Sequence, residues 1–379
     1  MNDQLGSPHC IQGKAAWRAV LLVFLLCLAP LSSVQAAPLR VALVCSGPSD
    51  DFYDILTGIA HGLKSLHIIN RAPSGTATVT GDTKDLWRWL SANAGGEKLI
   101  FLADAFYSED LTENKRSAVQ EAIRTRLARQ CDVDVILSFG TWATLDMVAL
   151  NTAVPIVGCG ITDAIDAGIV PSATDSGKDN LVAVLEPDRF QRQMELFHKF
   201  FAFRRLGITY NDTPAGRSIA AIPRIETACT GLGVELVRCT GNFFHNPDSN
   251  QIAEQMLACH KKFVEQNVDA VYITYNSLQS EQLQYVLQPL IQAKIPTISQ
   301  EGPREVRMGV LTSISNYSHR EGHFVAKLLS ALLEEGARPR NLPQQLHSPL
   351  LLAINLHTAS RIGWNPSLEV LMSVDKFYQ

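Results

Sequence analysis

Short apolar runs alternate with longer amphipathic stretches along most of the chain. Leu39-Arg40-Val41-Ala42-Leu43-Val44-Cys45 reads as a β-strand, and Ser46-Gly47-Pro48-Ser49 after it signals a turn and a helix start. Phe52, Ile55, Leu56, Ile59 and Leu63 then recur along one face of a helix. Much later the theme returns. Leu206-Gly207-Ile208-Thr209-Tyr210 is a strand, Asn211-Asp212-Thr213-Pro214 a turn, a helix runs to about Thr230, and Val234-Glu235-Leu236-Val237 is the next strand.

A second echo is stronger. Asp134-Val135-Ile136-Leu137-Ser138-Phe139-Gly140-Thr141 leads through a helix to Val154-Pro155-Ile156-Val157-Gly158. Asp269-Ala270-Val271-Tyr272-Ile273-Thr274-Tyr275-Asn276-Ser277 leads through another helix to Ile295-Pro296-Thr297-Ile298-Ser299. Each unit reads Asp, strand, polar turn, helix, then a short strand carrying Pro. Such alternation implies βαβ units and parallel sheets, and two copies imply an α/β protein of two doubly wound three-layer lobes. Ligands of such sheets sit beyond the carboxyl ends of the strands. The pattern breaks between Asn70 and Leu99, read as an insertion in the first lobe. It opens with the loop Ala72-Pro73-Ser74-Gly75-Thr76, and Asp85–Leu90 forms a short helix in which Trp87 and Trp89 cannot share a face.

At the N-terminus, Lys14 and Arg18 precede the apolar run Ala19–Ala29, and Val34-Gln35-Ala36 has small residues where a leader is cut. Residues 1–36 therefore read as a secretory signal peptide, its apolar run far short of the roughly 20 residues that span a bilayer. The mature protein is expected to be secreted to the periplasm and soluble. With 33 basic and 37 acidic residues the chain lacks the basic excess of a nucleic-acid binder. Of the eight cysteines, Cys45, Cys131, Cys159, Cys229, Cys239 and Cys259 lie beyond the leader. An oxidising compartment permits disulfides, but the sequence leaves every pairing open, and no CxxC pair supports a zinc ribbon or a redox site.

Other chemistries find little support. Gly177-Lys178 is followed by Asp179 and lacks the upstream glycine of a phosphate-binding loop, and there is neither GxGxxG nor GxSxG. His319-Arg320-Glu321-Gly322-His323 spaces two histidines as a zinc site could. The plainer reading is the first turn of a helix to about Leu333, capped by Ser318, with its polar residues facing solvent or the cleft. No metal, cofactor or catalytic residue is expected.

The segment DVILSFGTWATLDMVALNTAVPIVGCGITDAIDAG, Asp134 to Gly168, resembles the tryptophan/tyrosine-type ABC transporter substrate-binding family. The resemblance continues through Asn180-Leu181-Val182, Arg205–Asn211, Lys294-Ile295-Pro296 and Ala353–Ala359. Two motifs depart from it: Gly-Asn-Val-Thr-Gly is here Asp179-Asn180-Leu181-Val182-Ala183, and Gly-Thr-Pro is Gly140-Thr141-Trp142. The resemblance implies a type I periplasmic binding protein, not an enzyme, whose two lobes hinge over a small ligand. Its partner would be an ABC permease or, in a sensor, a membrane receptor. The expected lobes are 37–185 with 314–337, and 186–313 with 338–379, in a monomer.

Strand-end residues are the candidates for the cleft: Ser46, Gly47, Thr141, Trp142, Thr162 and Asp163 from the first lobe, and Tyr210, Asn211, Tyr275, Asn276, Gln300 and Glu301 from the second. Hydroxyls and free amides at helix N-termini suit a ligand carboxylate. Asp163 or Glu301 could hold an ammonium, and Trp142, Tyr210 or Tyr275 could cover an apolar body. Ordinary turn chemistry also accounts for these residue types, and Trp142 could instead plug a lobe core.

Overall fold

In β1 (Leu39–Cys45) successive side chains enter two different cores. Val41, Leu43 and Cys45 join one apolar cluster, Ala42 and Val44 another, as the two-residue period of a strand buried on both faces demands. This is a computed structural model, which describes residues 37–74, 81–244, 248–334 and 337–379. The expected leader lies outside those residues, as do Gly75 and Thr76 of the Asn70–Leu99 segment.

The first sheet has the order β2-β1-β3-β4-β5 and is wholly parallel, with β2 at Leu99–Ser108, β3 at Val135–Phe139, β4 at Ile156–Cys159 and β5 at Leu181–Ala183. Helix α1 (Asp50–Ser65) covers one face. Helices α3 (Glu113–Arg129) and α4 (Thr141–Ala149) cover the other. Helix α2 (Thr83–Asn93) lies in the segment read as an insertion, and it packs into the core. Its Leu86, Trp87 and Leu90 are buried, the Trp87 indole donates to the Leu102 carbonyl at 2.9 Å, and Trp89 is left partly exposed.

The second sheet has seven strands in the order β12-β11-β10-β9-β8-β6-β7. These are β6 (Arg205–Tyr210), β7 (Glu235–Thr240), β8 (Ala270–Ile273), β9 (Thr297–Ser299), β10 (Thr312–Ser315), β11 (Leu351–Asn355) and β12 (Lys376–Tyr378), and only the β10–β11 pair is antiparallel. Helices α5 (Arg189–Phe201), α6 (Pro214–Ile219), α7 (Ile222–Leu232), α8 (Ser249–Glu265), α9 (Ser280–Gln292) and α10 (Pro303–Arg307) accompany it. A disulfide joins Cys239 of β7 to Cys259 of α8, while Cys45, Cys131, Cys159 and Cys229 are free thiols. The two aspartates of the sequence echo do the same job. Asp134 accepts the backbone N–H of Arg40 at 2.9 Å, and Asp269 accepts those of Arg204 and Arg205 at 2.8 and 2.9 Å, so each ties β3 or β8 to the start of its neighbour.

The chain passes between the sheets after β5, after β10 and again before β11. The middle excursion carries α11 (Ser318–Leu332) back onto α1. There the helices touch backbone to backbone. A Cβ on Gly322 would collide with the carbonyl oxygen of Ile55, and one on Gly58 with that of His319. The glycine that weakens the His319–His323 segment as a helix is thus the one that allows this packing. Ser318 is the first helical residue, not the cap, and donates to Asp51 at 2.8 Å. His319 and His323 turn toward α1 and stay partly exposed, with His319 Nε2 3.0 Å from His61 Nδ1.

Replacing Gly322 with Ala is expected to lower stability by about 1–3 kcal/mol through overpacking. Gly231→Ala, where an added Cβ meets nothing, should gain up to ~1 kcal/mol from helix propensity. Denaturant midpoints of the two variants check this; equal midpoints would contradict the close contact.

Candidate functional site

Strand ends from both sheets converge on one cavity of about 950 Å³, a volume that includes its open mouth. The first sheet contributes the turn after β1, the start of α4 after β3, and Gly160, Ile161 and Thr162 after β4. The second contributes Tyr275 after β8, Gln300 and Glu301 after β9, and Ser315 and Asn316 at the end of β10. Ile219, Arg189 and the first turn of α11 complete the wall.

Local chemistry fixes each piece. Gly140 sits at φ +93°, a region that favours glycine, and a Cβ there would collide with the Ser46 hydroxyl. That hydroxyl accepts the Ala143 N–H at 2.9 Å and so caps α4 from the neighbouring strand end. Thr141 Oγ1 accepts the Thr162 N–H at 3.4 Å, joining the β3 and β4 turns. Trp142 packs with Ile219, Phe244 and Tyr275 and so bridges the two lobes. The Arg116 guanidinium lies 4.3 Å from its ring centroid and is itself held by both oxygens of Asp146, at 2.9 and 2.8 Å.

Of the expected residues, Ser46, Gly47, Thr141, Trp142, Thr162, Tyr275, Gln300 and Glu301 line this cavity together. Four lie elsewhere. Asp163 pairs with Arg224 of α7 at 2.5 Å, across to the other lobe, and its carboxylate also accepts the Ile165 and Asp166 N–H groups. Tyr210 is buried in the second lobe beneath Arg217. Asn211 bonds Asn242 and the backbone of Phe243 and Phe244. Asn276 donates to Glu305 at 2.7 Å and borders an adjoining outer chamber instead.

Asp51, Arg189, Ser315, Ser318 and Glu321 were not among the expected residues, yet all line the cavity. Asp51 follows the Ser46–Ser49 helix-start signal, and Ser318 is the residue that the sequence reads as a cap. Glu321 accepts the Gly160 N–H at 2.7 Å. Burial pushes its carboxyl up to about 8 despite that bond, with Glu186 and Asp51 adding to the rise. Burial likewise drives Glu301 well above the carboxylate range, reinforced by Asp51 and Glu305 and opposed by Arg189 and Arg304. Glu305 is raised to about 7, chiefly by burial. Among the described residues no group of three or more His, Cys, Asp and Glu side chains could hold a metal ion.

These carboxyls fix a sign for stability against pH. Glu186 (about 7), Glu305 (about 7), Glu321 (about 8) and Glu109 (about 9) keep protons in the folded chain that the unfolded chain has lost. Their stabilisation is complete below the ordinary carboxylate range and is lost as pH rises through these values. His260, His319 and His323 are lowered by burial and act in the opposite sense, but only below about pH 6.5. The unliganded protein should therefore melt at progressively lower temperature between about pH 7 and pH 9. Glu321→Gln should flatten that slope, and a melting point that rises across the window would contradict the assignment.

A model of the family described as "ABC transporter substrate binding protein" matches residues 102–377. Among solved structures, an L-Trp-bound ABC domain from Streptococcus pneumonia is similar at 17% identity and TM-score 0.66, over 90% of this chain and 100% of that one. A conserved domain protein from Vibrio cholerae is similar at 19% identity and TM-score 0.63, over 89% and 99%. The ligand-free, open form of a substrate-binding protein with adhesive properties from Clostridium difficile matches at 16% and 0.58, over 90% and 99%. No curated protein matches the sequence. At these identities the structural likeness shows the fold.

Proposed function

The chain belongs to the family of ABC transporter substrate-binding proteins, whose members bind solutes and are not enzymes, and from that premise we propose that it is a periplasmic solute-binding protein. It captures a small ligand, an amino acid or an aromatic or amine-bearing metabolite, between its lobes and delivers it to an ABC permease. The observation that carries this reading is the cavity walled by strand ends of both sheets. A ligand held there touches both lobes at once, so it binds the closed arrangement better than the open one, and only such a difference can shift a hinge equilibrium.

In this reading the lobes are 37–185 with the excursion after β10, and 186 to the end of β10 with the chain from β11 on. The expected bounds at 314 and 338 shift because β10 runs through Ser315 and because Leu342 and Leu346 pack against the first core, where the Leu346 N–H donates to the Leu185 carbonyl at 2.8 Å. Thr141 and the first turn of α4 receive a ligand carboxylate, as the positive end of a helix dipole favours. Trp142 and Tyr275 cover the body of the ligand, and Gln300 orients it. The L-Trp in the pneumococcal neighbour supports an amino acid as the ligand class. Periplasmic placement rests on the leader, and the Cys239–Cys259 disulfide suits an oxidising compartment. Among the described residues no helix is long and apolar enough to cross a membrane.

A melting screen of residues 37–379 against amino acids, aromatic metabolites and nucleosides tests the reading. A ligand at a hundred times its Kd adds about 2.7 kcal/mol of stability. At least one amino acid should raise the melting point, and Thr141→Ala with Trp142→Ala should remove the rise. A hit that survives both substitutions would move the site elsewhere, and silence from every amino acid in ligand-stripped protein would count against the reading.

A further inference from the structure

The cavity is unequal in charge. Asp51 and Glu321 face it from the helices packed against the first sheet, and Glu301 faces it from the second, while among the described residues Arg189 is the one cationic side chain in its wall. The adjoining outer chamber shares Asp51 and Glu301 with it and adds Asp50, Asp110 and Arg304. Two of these acids are already matched, Asp50 by Arg304 at 3.2 Å and Asp110 by Lys115 at 2.7 Å. Among the described residues the three inner carboxyls have no such ion pair. Asp51 accepts a hydroxyl and Glu321 a backbone N–H, both neutral donors.

A second, independent feature marks the same wall as built for a ligand. The Ser315 hydroxyl, in a residue only 3% exposed, has no hydrogen-bond partner although it lines the cavity. Buried polar atoms without partners are uncommon, and one that borders a ligand-sized space is explained by a group that arrives with the ligand. An ordinary zwitterionic amino acid would bring one carboxylate and one ammonium. Its carboxylate is served by Arg189 and the helix N-termini, and its ammonium by one acid, which leaves two carboxyls facing the cavity without a counter-charge.

Resting on the reading of the cleft as a solute site, we propose that its ligand carries net positive charge, with an ammonium or guanidinium seated between Glu301 on one side and Asp51 and Glu321 on the other. Like charges facing each other across an empty closed cleft repel, and a cation between them turns that repulsion into attraction from both lobes. In the empty cavity protons supply the missing positive charge: burial raises all three carboxyls, with Asp51 adding to the rise of Glu301 and of Glu321, and Asp50 to that of Asp51. The groups that face them are Glu186 and Arg189 at the first crossing and α5, Asp50 on α1, Arg304 and Glu305 on α10, Ser318 on α11, and the Gly160 N–H. A binding cation displaces protons to the solvent, so affinity rises with pH.

Isothermal titration of ligand-stripped protein with L-arginine against L-citrulline, L-lysine against L-norleucine, and putrescine, at pH 6.5 and pH 8.5, tests this. At least one cation should bind ten times or more tighter than its neutral counterpart, release protons in buffers of differing ionisation enthalpy, and tighten at the higher pH. Glu301→Gln should erase the preference for the cation, and Glu321→Gln, checked for an intact melting transition, serves if the first variant fails to fold. Equal or tighter binding of citrulline, norleucine, leucine or tryptophan would overturn the charge assignment and leave the solute-binding reading standing. Binding of no probe of either kind would overturn both.

Discussion

The contact between α1 and α11 sets the cleft. Because Gly58 and Gly322 have no side chains, the two helices approach until backbone meets backbone, and their N-termini arrive side by side at the carboxyl ends of the first sheet. Asp51 and Ser318 are joined there, and Glu321, the residue before Gly322, is placed against the Gly160 N–H after β4. The same excursion carries the chain away from β10 of the second sheet and returns it before β11, so this packing also ties the hinge crossings to the ligand wall.

Across the cavity, apolar and charged contacts divide the work. Trp142 with Ile219, Phe244 and Tyr275 gives the lobes a shared apolar patch, braced from behind by Arg116 and Asp146. Two ion pairs flank it, Asp163 with Arg224 and Asp50 with Arg304. At least one partner in each pair is partly exposed to solvent, so neither pair is worth much alone. Under the proposed reading this arrangement is the closed state, and contacts this modest leave the ligand to decide the balance between closed and open.

Much of this was legible in the sequence. Two sheets, their alternating helices and the paired Asp–strand–turn–helix units follow from periodicity, and the aspartates that mark the echo turn out to fasten adjacent strands. Eight of the strand-end residues meet at the cavity because a parallel sheet places its strand ends together. The other four lie outside its wall for related reasons. Asp163, Asn211 and Asn276 carry short polar side chains that bond nearby backbone, and here each spends its oxygen on an N–H within the fold. Tyr210 ends its strand inside a core. Conversely, Asp51 and Glu321 sit in helical first turns, where an acid also reads as a response to the helix dipole, and only the folded arrangement shows that they share a space with Arg189.

The central claim is that one small molecule is held by both lobes in this cavity. A crystal structure of the protein with its best ligand from the melting screen tests that most directly. The account expects density for the ligand between Thr141 and Trp142 on one side and Tyr275, Gln300 and Glu301 on the other, in contact with both. Density confined to one lobe, or lying outside this cavity, would contradict it.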